Sequence, residues 1–123
     1  MLCHKNDTLA VFDYAAVAPY VAINCNAITE GRCFEHSIRQ NDLPLCYKDA
    51  IFISPHKLVG GPGSSGILVA KKTLLLDRKP DRVGGGPVFF VNELDHEFDA
   101  NIEDLEEAGT PGIIQDIKAA LAF

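Results

Sequence analysis

Two short apolar runs, Ala50 to Ile53 and Ile67 to Ala70, bracket a glycine-rich connection in the stretch DAIFISPHKLVGGPGSSGILVAKK (residues 49–72). β-Branched and aromatic content makes each run a strand candidate, and the glycines and prolines between them exclude a continuous helix. Lys57 falls just past the end of the first run. In an open α/β sheet that position is the crevice outside the carboxyl ends of the strands, where ligands bind. A lysine held there away from bulk water, beside His56, is a candidate amine nucleophile toward an aldehyde or ketone. The alternative is a solvated loop lysine, with glycines that only turn the chain.

The same glycines fit other motifs less well. Gly61, Gly63 and Gly66 spell G-x-G-x-x-G, yet a dinucleotide fingerprint opens a helix, whereas Ile67-Leu68-Val69 reads as a strand. A phosphate-binding P-loop requires Lys and then Ser or Thr after its last glycine, and Gly66 is followed by Ile67 and Leu68. A kinase glycine loop sits between strands and Val69-Ala70-Lys71 faintly suggests its lysine strand, but no H-R-D or D-F-G follows.

Upstream, Leu9 to Phe12 is an apolar run closed by Asp13, which reads as a strand with an acid at its carboxyl end. Asp13 either faces a ligand or caps the segment that follows, a position that favours Asp. Downstream, Gly84-Gly85-Gly86-Pro87 leads into Val88-Phe89-Phe90-Val91, a further strand. These glycines leave backbone amides free to approach an anion, or they serve as a flexible linker.

Ser54-Pro55-His56-Lys57 followed by Gly60-Gly61-Pro62-Gly63 and Gly66 resembles the lysine segment of class V aminotransferases, the pyridoxal-phosphate family that includes cysteine desulfurases and selenocysteine lyases. Phe12-Asp13-Tyr14-Ala15-Ala16 resembles the segment that carries the family's aspartate, although many members place Gln where Ala16 stands. The resemblance implies that Lys57 is the Schiff-base lysine and moves the proton at the substrate's α-carbon. It implies that Asp13 is the partner of the pyridine nitrogen, and that Ser54 and His56 are phosphate ligands. Gly85 and Gly86 resemble a loop that reaches a neighbouring subunit's cofactor phosphate in a homodimer. Pro87, where a Thr often follows the glycines, lacks both hydroxyl and amide.

The fold implied is an α/β partial large domain of fold type I, a mostly parallel sheet with flanking helices over residues 1–123. Its strands are expected near residues 9–13, 50–54, 67–71 and 88–91. The cofactor implied is pyridoxal 5'-phosphate and the substrate a small-molecule amino acid. The expected span is the middle of a family enzyme, with a phosphate-binding turn and ring-stacking residue before Met1 and a carboxylate-gripping arginine after Phe123. Such a slice is expected to be inactive alone, and a non-catalytic remnant kept for subunit association is the alternative.

Composition narrows the classes further. With 123 residues, 47% hydrophobic, the chain is long enough for one domain with a core. A net charge of -6 argues against a nucleic-acid surface. Cys3, Cys25, Cys33 and Cys46 form no C-x-x-C pair, which suits reduced, individually buried thiols in a cytoplasmic protein better than a zinc site or disulfide frame. Cys33 and His36 fall in a stretch read as a connecting loop, residues 24–45. No run approaches the roughly 18 apolar residues of a membrane span, and a start without a basic region leading into an apolar one is not expected to direct export.

Residues 93–107 hold eight of the seventeen acids. Asp95, Glu97, Asp99, Asn101, Glu103 and Glu106 fit the ligand spacing of a calcium loop, but Ala100 stands where its turn needs Gly, so a solvated acidic face is the expectation. Residues 77–82 read as a charged turn. Thr110-Pro111 reads as an N-cap and first helical position ahead of an amphipathic helix carrying Ile113, Ile117, Ala120 and Leu121.

Overall fold

A computed structural model describes residues 1–26, 40–75, 79–80 and 82–123. Cys33, His36 and part of the charged turn lie outside the described residues; of the other cysteines, Cys3 is exposed and Cys25 and Cys46 are half-buried, not buried as expected. In chain order the regular elements are α1 (Leu2–Lys5), β1 (Val11–Asp13), β2 (Ala50–Ile53), β3 (Ile67–Ala70), β4 (Val88–Val91), β5 (His96–Phe98), α2 (Ile102–Glu106) and α3 (Ile113–Ala122). Short 3-10 turns link several of them, among them Gln40–Leu45 and Pro55–Lys57. No helix among the described residues is long and apolar enough to cross a membrane.

The strands form a mixed α/β architecture with two small sheets. One has the order β1-β2-β3 and the other pairs β4 with β5. β2 is central, and its first two residues, Ala50 and Ile51, whose side chains point to opposite faces, are buried, as is Ala10 just before β1. β1 runs parallel to β2, with Val11 opposite Ala50 and Asp13 opposite Phe52. β3 returns antiparallel, Ile53 opposite Ile67 and Ala50 opposite Ala70.

The sheet is therefore mixed, not mostly parallel as expected. The reason lies in residues 54–66. They contain one 3-10 turn and glycine turns at Gly60 (φ +84°) and Gly63 (φ +78°), but no helix to carry the chain back across the sheet. A parallel return needs such a crossover.

The acidic stretch also departs from expectation. It contributes β5 and α2, not only a solvated face. Asn92 builds the β4–β5 turn, its side-chain oxygen accepting from the N–H groups of Leu94 (2.8 Å) and Asp95 (2.7 Å). Asn101 caps α2 by accepting from Glu103 N–H at 3.1 Å, and Glu103 and Asp104 sit in the first turn, where negative charge suits the helix dipole. Leu105 anchors that helix and is 2% exposed. The last helix begins at Ile113 with Gly112 in the cap position, not at the expected Thr110-Pro111. Only Ala119 of α3 is buried among its residues, and Ile113, Ile117 and Leu121 are exposed.

One buried charge ties the pieces together. Asp49, 5% exposed, lies at the entry to β2. Its Oδ2 accepts from Ala10 N–H at 2.7 Å and from His4 Nε2 at 2.8 Å. The other ring nitrogen, Nδ1, donates to Leu45 O at 2.7 Å. Both ring nitrogens thus face oxygen acceptors. His4 stacks on Tyr47 with centroids 3.8 Å apart, and Lys71 Nζ lies 3.6 Å from that ring's centroid.

Burial by itself raises the Asp49 pKa. The Ala10 N–H bond, the His4 bond and charge, and the Lys71 charge outweigh it and hold the carboxyl below its ordinary 3.8.

Because the folded pKa is lowered, Asp49 stabilises the fold above the ordinary carboxylate value and ceases to do so as pH falls through the folded value. Asp49→Ala is expected to cost roughly 2 kcal/mol near neutral pH, since it leaves Ala10 N–H and His4 Nε2 without their acceptor. Urea denaturation of both proteins from about pH 6 down to about pH 2 should show the gap closing at the acid end. A gap independent of pH would mean that ionisation of Asp49 contributes nothing.

Candidate functional site

Parallel pairing puts the carboxyl ends of β1 and β2 at the same edge of the sheet. Tyr14 N–H donates to Phe52 O at 2.8 Å, extending the pairing one step beyond Asp13. The chain leaves β2 at Ile53 and turns at once into Ser54 and the 3-10 turn Pro55–Lys57. Asp13 and the segment Ser54, His56, Lys57, far apart in sequence, therefore share one sheet edge.

The lysine turn is firmly built. Lys57 N–H donates to Ser54 O (3.1 Å), Leu58 N–H to Pro55 O (2.9 Å) and Gly61 N–H to Leu58 O (3.0 Å), while Pro55 is fully buried. Gly61 packs its backbone directly on that turn: a Cβ there would lie 1.8 Å from Pro55 O. Helix α3 closes the other side. Gln115 O accepts from Ser65 N–H at 3.2 Å, and Asp116 Oδ1 accepts from the Ser65 hydroxyl.

Side chains on this edge face water. His56 and Lys57 are exposed, so Lys57 is not held away from bulk solvent by the described residues; Ser54 is half-buried. Asp13 is exposed as well, and its Oδ1 accepts from Ala15 N–H at 2.7 Å. That is the capping role read for Asp13 as an alternative, and it engages one carboxylate oxygen. The two roles are compatible, because the second oxygen has no partner among the described residues. Beside this edge Lys48 Nζ lies 5.5 Å from the Phe12 ring centroid and 5.9 Å from that of Tyr14, covering the apolar face of β1 with a cation.

Gly85 and Gly86 are placed elsewhere. Gly85 O accepts from Gly109 N–H at 2.7 Å, and Gly86 (φ +102°) lines a cavity of about 390 Å³ together with Asp99, Asp104, Glu107 and Asp116. Four carboxylates oppose an anion in that cavity. The structure thus joins Asp13 to the lysine segment and seats the Gly85-Gly86 loop against the turn before α3.

Sequence reasoning missed Asp49, read only as the start of the stretch, and the hydroxyl and acid pair Ser65 and Asp116. A charged residue directly before a buried strand was the available signal for Asp49, since such a charge requires a partner.

Compared with known proteins, the chain matches no family model and no curated protein. The identification of the site therefore rests on its own residues and geometry.

The two glycine segments should respond differently to a methyl group. Gly61→Ala is expected to lose roughly 3 kcal/mol or more, because the new Cβ collides with backbone that cannot move aside. Gly85→Ala, with open space around its Cβ position, should change stability by less than about 0.5 kcal/mol. Thermal and urea unfolding of the two variants measure the contrast, and equal losses would contradict this account of the lysine turn.

Proposed function

We propose that this chain carries the lysine-bearing segment of a pyridoxal-phosphate-dependent enzyme of the class V aminotransferase kind, a transferase or lyase acting on an amino acid. One observation supports this above the others: the parallel register of β1 and β2 brings Asp13 to the sheet edge that holds Ser54, His56 and Lys57. These are the residue types the cofactor requires, an amine for its aldehyde, a carboxylate for its ring nitrogen, and a hydroxyl and an imidazole for its phosphate.

When bound, pyridoxal phosphate supplies an electron-poor ring that accepts the charge left at an amino acid's α-carbon. The chain's own residues hold and move protons around that chemistry. Lys57 Nζ takes the proton from the α-carbon and returns it, as general base and then acid. Asp13, steadied through Ala15 N–H, keeps a negative charge at the edge and so favours a protonated ring nitrogen. Ser54 Oγ and the His56 ring donate to phosphate oxygens and fix orientation. The resemblance gives Gly85 and Gly86 to the cofactor phosphate of a neighbouring subunit, and the carboxylates that line the cavity beside Gly86 oppose that role.

A second reading is favoured by the apolar surface. Ile113, Ile117 and Leu121, four residues apart on α3, are all exposed and form an apolar stripe along one helix face. A contiguous stripe of this kind marks an interface. In that reading the chain retains the fold for subunit association and lacks activity of its own.

Incubation with pyridoxal phosphate, borohydride reduction and peptide mapping separates the two. The expected result is one labelled lysine, Lys57, with labelling abolished in Lys57→Ala and an unchanged circular dichroism spectrum. Labels scattered over exposed lysines such as Lys72 and Lys79 would remove the cofactor reading. Concentration-dependent sedimentation without specific labelling would favour the association reading.

A further inference from the structure

Lys57 is exposed, so its amine is placed by the backbone turn that carries it and not by packing of its side chain. That support is a single 3-10 turn, which forms too few hydrogen bonds to hold itself. The stretch after it is weaker still, because Gly60, Gly61, Gly63 and Gly66 leave its backbone unusually free. Something outside the segment must fasten it.

Helix α3 does so. Among the described residues, the turn Pro55–Lys57 is the element against which α3 packs most closely. The glycine loop meets the same helix at two places. A Cβ on Gly63 would lie 3.4 Å from Lys118 Nζ. Ser65 makes two bonds, its N–H donating to Gln115 O at 3.2 Å and its hydroxyl to Asp116 Oδ1. The second is charge-assisted and so the stronger. From Ser64, the residue next to this anchor, backbone bonds lead back to the lysine turn: Ser64 N–H donates to Gly61 O (3.0 Å), Gly61 N–H to Leu58 O (3.0 Å) and Leu58 N–H to Pro55 O (2.9 Å).

We propose that Asp116 is a positioning residue for Lys57: through Ser65 its carboxylate anchors the glycine loop to α3, and with it the turn that presents the amine. The proposal rests on the reading of Lys57 as the reacting amine.

Two measurements on the whole chain test it. Hydrogen exchange reads the turn, and the rate at which pyridoxal phosphate and borohydride label Lys57 reads the amine. In Ser65→Ala and in Asp116→Ala the amides of Lys57, Leu58 and Gly61 should exchange about fivefold faster, and labelling of Lys57 should slow by about fivefold. Amides of β4 and β5 should be unaffected, and because the bond is exposed the unfolding midpoint should change little. Asp116→Asn keeps an acceptor oxygen and should hold both rates within about twofold of the unaltered chain. The double variant Ser65→Ala/Asp116→Ala should be no worse than either single one, since both remove the same bond. Unchanged exchange at the turn, faster exchange shared equally by β4 and β5, or additive losses in the double variant would each overturn the proposal. An unaltered chain that takes no label at Lys57 would overturn the cofactor reading instead, and exchange would still decide whether Asp116 holds the turn.

Discussion

The carboxylate of Asp49 is the interaction on which the rest of the structure depends. Its hydrogen bonds join three segments that no local pattern brings together: α1 through His4, the approach to β1 through Ala10, and the entry to β2. The Asp49 and Ala10 backbones are linked in both directions, since Asp49 N–H also donates to Ala10 O at 2.9 Å. A slip of one residue in this pairing would turn every side chain of β1 to the other face. The register so fixed is the one that sets Asp13 opposite Phe52, next to the turn that carries Lys57. Fold and candidate site therefore share a single electrostatic anchor, placed at the opposite end of the strands from the site.

A buried carboxylate serves this purpose better than a further apolar contact because its demands are directional. Apolar packing at Ala10, Ala50 and Ile51 tolerates several arrangements. The oxygen of Asp49 requires donors at hydrogen-bond distance in fixed directions, and an unpaired charge there is strongly disfavoured. The stacked His4, Tyr47 and Lys71 extend the same logic sideways, joining the end of β3 to α1 through one ring.

Four strands were legible in the sequence because each is an apolar run bounded by Gly, Pro or Asp; β1 starts two residues inside the expected limits, and β2 and β3 each end one residue inside them. β5 and α2 were not, because their sequence is acidic and largely exposed. Side-chain caps and turns by Asn92 and Asn101, not hydrophobic period, define them. The direction of β3 was also hidden, since an apolar run reads alike in both directions and only the lack of a crossover helix decides. For the site, the residue types at Asp13 and Ser54 to Lys57 were visible and their shared edge followed once β1 and β2 paired in parallel. The exposure of Lys57 was not visible, because it depends on what lies above the sheet edge. His4 was no more visible, lying 45 positions from the acid it neutralises.

The parallel pairing also sets what each closure of the chain costs. β1 and β2 are joined by residues 14–49, β2 and β3 by residues 54–66, and β4 and β5 by a turn of residues 92–95. Chain-closure entropy makes the first of these about 0.9 kcal/mol dearer to close than the second. The longer closure is the one that sets Asp13 beside Lys57, so this juxtaposition carries the larger entropic cost, and the contacts of Asp49 with Ala10 and His4 help offset it.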